Sequence, residues 1–392
     1  MRIKLYRVHI AVFVVCFFII SLPFYVWDYG WVRHIAELVC LLFFIDNVTK
    51  SYRHSIRQSN VVILFLSLIF YLSLRNFDLG NFNSISLILN ILLCSVFFVP
   101  KGKILEYYDT YKTFISSFFL LSLFVYIVVL WFNIDLPYES IKALNPIKPD
   151  NYRAYPFLTV YDSEYGFVKF RFCGPYDEPG VVGTLSAIIL YGDKYNLKDY
   201  RNIIFLLAGV ASFSMFFFVV TIVYFFIFKG RYIVSFIFFA IVASIIYWGR
   251  DSEVVKSLVF ERFDIYINGG GRTTDLFDAV YSEFIRTPNI FWGVGKDEMA
   301  KLLAETGASS YKSVIYGYGI IGFVLVILVW LYFSFSSLRE YRNWVIFSFI
   351  FLAVFYQRPT LFEPYYYFLF VSIISKMSTY ELSINNSNYC NI

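Results

Sequence analysis

Long apolar runs are the feature that most restricts the fold of this chain. Runs such as Thr113 to Phe132 and Ile203 to Phe228 approach or exceed the roughly 20 residues that an α-helix needs to cross about 30 Å of hydrocarbon. Hydrophobic residues make up 59% of the chain and charged residues only 16%, unlike a soluble globular protein. The runs lack the alternation of barrel strands, so they must be helices. The sequence predicts an all-α fold: a polytopic membrane helical bundle with about 11–12 transmembrane segments and two large extracytoplasmic loops.

Short loops rich in Lys and Arg predict which ends of the spans are cytoplasmic. One such loop carries Lys50, Arg53 and Arg57, and the next carries Lys101, Lys103 and Lys112. The net charge of +5 is attributed to these loops and not to a nucleic-acid surface. The apolar run behind the basic N-terminus has no cleavage site, so we expect it to remain as a signal anchor. Both termini are predicted to be cytoplasmic.

The spans and loops divide the chain into six predicted regions. They are N-terminal transmembrane helices (1–132), a first extracytoplasmic loop (133–179), central transmembrane helices (180–248), a second loop with an amphipathic helix (249–312), C-terminal transmembrane helices (313–376) and a polar, disordered tail (377–392). The amphipathic helix is indicated by the helical spacing of Leu276, Phe277, Val280 and Phe284. The basic residues on both sides of the run from Ile203 to Phe228 favour a re-entrant hairpin or two short tilted helices that turn near Ser212 to Ser214; a single long span is the alternative.

The polar stretch from Arg171 to Gly180, RFCGPYDEPG, interrupts the apolar pattern at the start of the sixth span. Arginine binds phosphate bidentately and stays charged, so several arginines that converge outside the membrane would suit a diphosphate. The candidates are Arg153 and Arg171 in the first loop, Arg250, Arg272 and Arg286 in the second loop, and Arg358 near the C-terminus. Solubility of the loops and ion pairing within them is the alternative for each single arginine.

Two carboxylates and a group of tyrosines complete the candidate site. Asp177 and Glu178 precede Pro179, where Glu178 is either a helix cap or a catalytic group. Sugar rings stack on aromatic faces, so the tyrosines of the first loop form either a carbohydrate surface or packing within the loop. These tyrosines are Tyr138, Tyr152, Tyr155, Tyr161, Tyr165 and Tyr176.

Metal and nucleotide chemistry find little support in the sequence. The three histidines are far apart, and neither loop contains Asp-x-Asp, which argues against a Mg²⁺-dependent sugar-nucleotide transferase. The GGGRTTD stretch from Gly269 to Asp275 lacks the Lys-Ser/Thr of a phosphate-binding loop. We therefore expect no metal and no other cofactor.

Three segments together resemble the O-antigen polymerase and ligase family of bacterial envelope proteins. They are RFCGPYDEPGVVGT (Arg171 to Thr184), GGGRTTDLFDAVYSEFIRTPNIFWGVG (Gly269 to Gly295) and SSYKSVIYGYGIIG (Ser309 to Gly322). The resemblance covers roughly Phe170 to Phe323, and its order and its two loops are more specific than any single motif. Ligase-type members usually have a His-Asn pair where Ala308-Ser309 stands here, which favours a polymerase.

The resemblance implies a glycosyltransferase of the bacterial inner membrane. It would transfer a growing glycan from undecaprenyl diphosphate to an incoming lipid-linked repeat unit at the periplasmic face. Arg171 and Arg272 would clamp the diphosphate, and Glu178 or Asp177 would deprotonate the acceptor hydroxyl. Arg153, Arg250, Arg286, Arg358 and Tyr176 are the candidate substrate-binding residues. Membrane lipid and a chain-length regulator protein are further candidate partners. An O-antigen ligase, a capsule or exopolysaccharide polymerase and a flippase of lipid-linked sugars remain alternatives.

Overall fold

The computed structural model describes most of the chain and shows a predominantly helical protein. The described residues are 2–51, 96, 99–142, 151–162, 170–228, 240, 244, 247, 251, 274–306, 310–357 and 364–389. The predicted span from Val61 to Leu74, and most of the predicted spans from Ile85 to Val99 and from Tyr232 to Trp248, lie outside these residues.

Twelve helices and three strands are described. The helices are α1 (Arg2–Ile20), α2 (Gly30–Ser51), α3 (Lys101–Tyr126), α4 (Pro179–Gly192), α5 (Tyr200–Ala211), α6 (Met215–Phe228), α7 (Asp275–Phe284), α8 (Asn289–Trp292), α9 (Lys296–Thr306), α10 (Tyr311–Ser337), α11 (Tyr341–Gln357) and α12 (Pro364–Tyr389). The strands are β1 (Glu139–Lys142), β2 (Asn151–Tyr155) and β3 (Leu158–Tyr161). A 3-10 turn covers Phe24–Val26, and a π-helix, Ile127–Trp131, continues α3.

The prediction of a mainly helical fold is confirmed, but the first loop also contains a sheet that the sequence analysis missed. The three strands pair antiparallel in the order β1-β2-β3. Among the described residues, two helices are long and apolar enough to cross a membrane, Lys101–Trp131 and Tyr311–Ser337. Five shorter helical segments are apolar as well, namely Val8–Ile20, Pro179–Gly192, Tyr200–Ala211, Met215–Phe226 and Tyr341–Tyr356.

The chain forms two compact units. The first consists of Met1–Ser21, Asp28–Tyr111 and Arg272–Ile392. Its described core is rich in aromatic rings: Phe13 of α1 stacks on Tyr107 of α3 at 4.4 Å, measured between ring centroids. Trp330 of α10 lies 4.8 Å from Tyr367 of α12, again between centroids. Large aromatic side chains contribute much buried area each, so these contacts hold α1 to α3 and α10 to α12.

The second unit consists of Leu22–Trp27 and Lys112–Gly271, and α4 lies at its centre. Every residue of α4 except Gly180 is buried. Both α5 and α6 pack on α4, and Gly183 lies so close to Ser214 that an added Cβ would be 2.2 Å from the Ser214 Cβ. The prediction that the run from Ile203 to Phe228 turns near Ser212 to Ser214 is confirmed, because α5 ends at Ala211 and α6 begins at Met215.

Three sequence predictions about loops and tails are wrong. The segment with Lys101, Lys103 and Lys112 is not a loop but the first half of α3. The helix α2 continues through Lys50 to Ser51, and α12 continues to Tyr389 through the tail that was predicted to be disordered. The physical reason is that extending an existing helix fixes one residue for each hydrogen bond gained, so polar residues can prolong an apolar helix beyond its apolar part.

The exposed faces of the apolar helices are themselves apolar. Exposed hydrophobic side chains recur every three or four residues, the spacing that keeps them on one helix face. They include Val8, Val12 and Val15 on α1; Ile35, Leu38, Leu42 and Ile45 on α2; Ile203, Leu207 and Val210 on α5; Val324, Leu328, Tyr332 and Phe335 on α10; and Val345, Phe349, Leu352 and Tyr356 on α11. Helices at a water-exposed surface normally carry polar residues there. These helices are thus apolar on both their buried and their exposed faces.

A break at Gly319 divides α10 into two helical pieces. Gly319 has φ 69° and ψ 172°, a conformation that is almost confined to glycine. The backbone of α8 lies directly against the break: an added Cβ on Gly319 would be 2.2 Å from the carbonyl oxygen of Phe291. The N–H groups of Val294 and Gly295 donate to the carbonyls of Tyr316 and Gly317 at 2.9 and 3.0 Å. The break and the 289–295 segment therefore hold each other in place.

We expect Gly319→Ala to destabilise the protein strongly. The backbone strain alone costs about 1–3 kcal/mol, and the clash with the Phe291 carbonyl adds to it. Thermal unfolding in detergent measures the effect. Gly102→Ala is the matched control, since a Cβ at Gly102 in α3 meets no atom within 4 Å and alanine favours a helix. Equal melting temperatures for Gly319→Ala and the parent protein would contradict the tight packing described for this break.

Candidate functional site

The stretch from Arg171 to Gly180 is an ordered and mostly buried part of the second unit. Residues 171–176 and Pro179 are buried, whereas Asp177, Glu178 and Gly180 are partly exposed. The stretch leads directly into α4, whose first residue is Pro179. The two carboxyl-bearing residues therefore lie where an otherwise buried segment reaches the surface of this unit.

Strand β3 and a neighbouring turn hold this stretch by its backbone. Thr159 of β3 donates from its N–H to the Gly174 carbonyl at 2.8 Å and from its hydroxyl to the Tyr176 carbonyl at 2.5 Å. The N–H of Phe24 donates to the Pro175 carbonyl at 2.8 Å. Buried backbone groups need such partners. The sheet therefore fixes the course of the chain just before the carboxylate pair.

Two tyrosine hydroxyls meet at the backbone of Asp177. Tyr152 of β2 and Tyr161 of β3 both donate to the Asp177 carbonyl, at 2.7 and 3.0 Å. Burial of the Tyr152 hydroxyl raises its pKa well above the ordinary value, so it remains a donor. These tyrosines were expected to form a carbohydrate surface or loop packing, and the contacts of Tyr152 and Tyr161 are those of packing. Tyr176 is also fully buried in this core.

Arg171 binds the turn between α5 and α6. Its Nε donates to the carbonyl of Ser212 at 3.2 Å, and its Nη2 donates to the carbonyl of Phe213 at 3.4 Å. Carbonyls at the C-terminal end of a helix lack partners within the helix, and a cation is favourable there. The side chain that the sequence suggested as a diphosphate clamp is thus buried and has a structural role. Sequence analysis could not see this, because the turn lies about forty residues downstream.

Glu178 occupies the N-cap position of α4, but its side chain makes no capping hydrogen bond. Its backbone carbonyl accepts a hydrogen bond from the N–H of Val181 at 3.0 Å. Of the two roles that the sequence left open for this residue, the side-chain cap is therefore absent from the structure. The carboxyl-bearing residue still lies at the N-terminal end of a helix.

Arg153, Asp162 and Tyr138 form a partly exposed cluster on the sheet. The Nε of Arg153 donates to the Asp162 carboxylate at 2.6 Å. The guanidinium carbon of Arg153 lies 5.1 Å from the centroid of the Tyr138 ring, a cation–π contact. Tyr138 is 50% exposed. The sequence singled out Arg153 as a substrate-binding residue, and the structure places it beside Asp162, which was not considered.

The other predicted site arginines are Arg286 in the first unit and three that lie outside the described residues. Arg286 is exposed just after α7, in the first unit. Arg250, Arg272 and Arg358 lie outside the described residues, so their predicted roles remain predictions. Among the described residues, no group of three or more His, Cys, Asp or Glu side chains could hold a metal ion.

A buried charge cluster in the second unit was missed by the sequence analysis. Lys112 of α3 is buried and forms ion pairs with Asp193, at the end of α4, and with Asp199, whose Oδ2 lies 2.7 Å from the lysine Nζ. Arg201 pairs with Asp199 at 2.8 Å. The guanidinium of Arg201 and then the ammonium of Lys112 hold the pKa of Asp199 well below its ordinary value. Lys112 is therefore a packing residue in this unit and not the loop cation that the sequence suggested.

Comparison of the chain with protein-family models, with curated proteins and with solved structures finds no match.

The Asp199 carboxylate should make stability depend on acid pH. Because its pKa is lowered in the folded state, its contribution is complete above the ordinary value of 3.8 and is lost as the pH falls below that value. We expect the melting temperature of the parent protein to fall more steeply between neutral pH and about pH 3 than that of Asp199→Asn. The measurement is thermal unfolding in detergent at each pH. Parallel curves for the two proteins would contradict this assignment.

Proposed function

We propose that the chain is a multi-pass protein of the bacterial inner membrane that polymerises O-antigen repeat units at the periplasmic face, with both termini in the cytoplasm. The observation that carries the proposal is the carboxylate pair Asp177-Glu178, held by the sheet at the surface of an otherwise apolar helical protein. Resemblance of the sequence to O-antigen polymerases supplies the reaction class. Each part of the proposal has its own support.

The exposed apolar faces of the helices support the membrane part. On α10 and α11, for example, exposed side chains such as Leu328 and Phe349 repeat along one face of each helix. Burying apolar surface away from water is worth about 25 cal/mol per Å², so a chain with many such faces is most stable in hydrocarbon. Five further apolar segments are shorter than a full span, and tilting, pairing with neighbours or local thinning of the bilayer accommodates short helices.

The proposed reaction is a transfer between two lipid-linked glycans. A carboxylate of the pair takes the proton of an acceptor hydroxyl, and the hydroxyl oxygen attacks the anomeric carbon of the donor glycan. The bond from that carbon to the diphosphate oxygen breaks, and undecaprenyl diphosphate leaves with the bonding electrons. Asp177 and Glu178 are both partly exposed, and Glu178, at the N-cap position of α4, is the first candidate base. Tyr152 and Tyr161 keep the backbone of its neighbour Asp177 in place.

The leaving diphosphate needs positive charge. Arg171 donates to backbone carbonyls and Arg153 is paired with Asp162, so these two are poorer candidates than their sequence context suggested. The proposal therefore assigns the diphosphate chiefly to Arg272, with Arg250, Arg286 and Arg358 as further candidates. Arginine suits this role because a charged donor can stabilise developing negative charge without proton transfer.

The partly exposed cluster on the sheet supports recognition of a sugar. Tyr138 offers an aromatic surface, and the adjacent Arg153 and Asp162 offer hydrogen-bond donors and acceptors. Sugar rings present apolar C–H faces and polar hydroxyl edges, so such a combination matches both. We propose that this cluster contacts the glycan of a lipid-linked repeat unit.

Substitution of the carboxylate pair tests the proposed chemistry. In a strain without the chromosomal gene, we expect Glu178→Gln to lower polymer formation by about 100-fold or more, because loss of a general base typically costs that much. Asp177→Asn should have a smaller effect if its role is to orient the site. The readout is the ladder of glycan lengths on a gel, with protein level and melting temperature measured in parallel. Glu139→Gln, in the exposed strand β1, is the control. A normal ladder in Glu178→Gln would overturn the assignment of the base.

The aromatic contact is tested separately at Tyr138. Tyr138→Phe keeps the ring and should preserve the ladder of glycan lengths, whereas Tyr138→Leu keeps apolar bulk without an aromatic face. Loss of a stacked aromatic contact costs about 1 kcal/mol, so we expect a several-fold weaker use of substrate and shorter glycans. Identical ladders for the two variants would contradict sugar stacking at this residue.

Flippase activity is a second candidate function that the buried charges favour. Lys112 is buried within the candidate span Lys101–Trp131 and is paired with two aspartates. Glu37 of α2 is fully buried, with Arg33 Nε at 2.9 Å and His34 Nδ1 at 3.0 Å from its oxygens. Ionisable groups inside membrane segments often mark transport pathways. A deletion strain separates the functions: without a polymerase, single repeat units are still exported, and without a flippase none are.

Genetic context separates the remaining alternatives, which share the proposed chemistry. An O-antigen ligase would transfer the finished glycan to a lipid core, and a capsule or exopolysaccharide polymerase would act on a different repeat unit. In a deletion strain, loss of all lipid-attached glycan indicates a ligase. Loss of long chains with one repeat unit retained indicates an O-antigen polymerase. Intact lipid-attached ladders with loss of capsule indicate the third alternative.

A further inference from the structure

The segment from Ile285 to Trp292, between α7 and α9, exposes large apolar side chains in a region that is otherwise polar at its surface. Phe291 is 54% exposed, Trp292 is 51% exposed, and Ile285 is exposed as well. Arg286 lies among them and is also exposed. We call residues 285–292 the aromatic segment.

The helices on either side of the aromatic segment behave differently. The apolar face of α7 points into the protein, because Phe277 and Phe284 are buried and Phe284 lies 4.8 Å from Tyr316 of α10. Apart from Leu276, the exposed positions of α7 carry small or polar side chains, such as Asp275 and Glu283. On α9 the exposed residues include Asp297, Glu298 and Lys301. The exposed surfaces of α7 and α9 are therefore mainly polar, and the large exposed apolar side chains are concentrated in the aromatic segment.

The aromatic segment is fixed to α10 at the level of the Gly319 break. The carbonyl of Phe291 approaches Gly319, and an added Cβ on Gly293 would be 2.3 Å from the carbonyl oxygen of Gly317. The two N–H groups that follow, at Val294 and Gly295, donate to α10. The depth of this segment in a membrane is therefore set by the position of α10.

The length of α10 places the break near one end of a membrane span. The complete helix, Tyr311–Ser337, would measure about 40 Å, longer than about 30 Å of hydrocarbon. The part after the break, from Ile320 to Ser337, measures about 27 Å and is almost entirely apolar. The part before the break contains Lys312, whose Nζ is 2.7 Å from Asp278, an ion pair that belongs outside hydrocarbon. The Gly319 break thus falls close to the membrane surface.

We propose that the aromatic segment is a lipid-contacting anchor, with Phe291, Trp292 and Ile285 inserted at the boundary between lipid headgroups and acyl chains. This inference rests on the membrane part of the proposed function. Tryptophan and other aromatic residues prefer that boundary, where one part of the ring is in apolar surroundings and another is hydrated. The long side chain of Arg286 reaches lipid phosphates from the same position. The anchor fixes the height of α7 and α9 over the membrane surface.

Quenching of tryptophan fluorescence by brominated lipids tests the anchor. The full chain is reconstituted in vesicles whose acyl chains carry bromine either near the headgroup or near the terminal methyl. The contribution of Trp292 is obtained as the difference between the parent protein and Trp292→Phe. We expect this contribution to be quenched more strongly, by about twofold, by the shallow bromines than by the deep bromines. Stronger quenching by the deep bromines, or quenching by neither lipid, would overturn the proposal.

Two other tryptophans separate failure of the anchor from failure of the membrane assignment. Trp131 ends the candidate span Lys101–Trp131 and is 70% exposed, so its contribution, measured with Trp131→Phe, should also be quenched. Trp330 is buried among aromatic rings of α11 and α12 and should be the least accessible to bromine. Quenching of Trp131 without quenching of Trp292 rejects the anchor and leaves the membrane assignment standing. Quenching of neither residue rejects both.

Discussion

The need to pair backbone polar groups where helices break inside an apolar protein shapes both units. A break exposes carbonyls or N–H groups that have no water within reach, and each unpaired buried group costs about 1–3 kcal/mol. In the second unit the guanidinium of Arg171 donates hydrogen bonds to the carbonyls of the turn between α5 and α6. In the first unit the N–H groups of Val294 and Gly295 donate hydrogen bonds to carbonyls of α10 just before its break. At the α5–α6 turn the Phe172 N–H also donates to the Ala211 carbonyl, so this turn is paired by backbone and a charged side chain, and the α10 break by backbone.

This constraint explains why the conspicuous polar stretch has the sequence it has. Arg171 reaches the α5–α6 turn from a stretch whose backbone carbonyls accept hydrogen bonds from Thr159 and Phe24. Gly183, the fifth residue of α4, lets the same turn approach α4 closely. The stretch from Arg171 to Gly180 therefore connects the sheet, α4 and the α5–α6 turn. The carboxylate pair Asp177-Glu178 lies at the end of this stretch.

The sequence predicted the local features of the fold better than the long-range ones. The helices α4 and α10 begin within two residues of the predicted region boundaries at residues 180 and 313, and the turn at Ser212 to Ser214 was located because local polarity marks it. The sheet was missed, because its strands are four or five residues long and lie among turn residues. Lys112 was assigned to a loop because its partners, Asp193 and Asp199, are some eighty residues away. A signal was present, since Lys112 follows the helically spaced Tyr108 and Tyr111 with no Gly or Pro between them.

The same long-range contacts change what a loss of activity at an arginine would mean. Removing Arg171 leaves the Ser212 and Phe213 carbonyls without a donor, so a defect in that variant reports on folding as well as on substrate. Glu178 differs, because it is partly exposed at the N-cap position of α4 and no helix N–H group depends on its side chain as a cap. An activity defect at Glu178 with an unchanged melting temperature therefore points to the reaction. Of the residues that the sequence singled out in this stretch, the carboxylate gives the cleaner test and the arginine the less direct one.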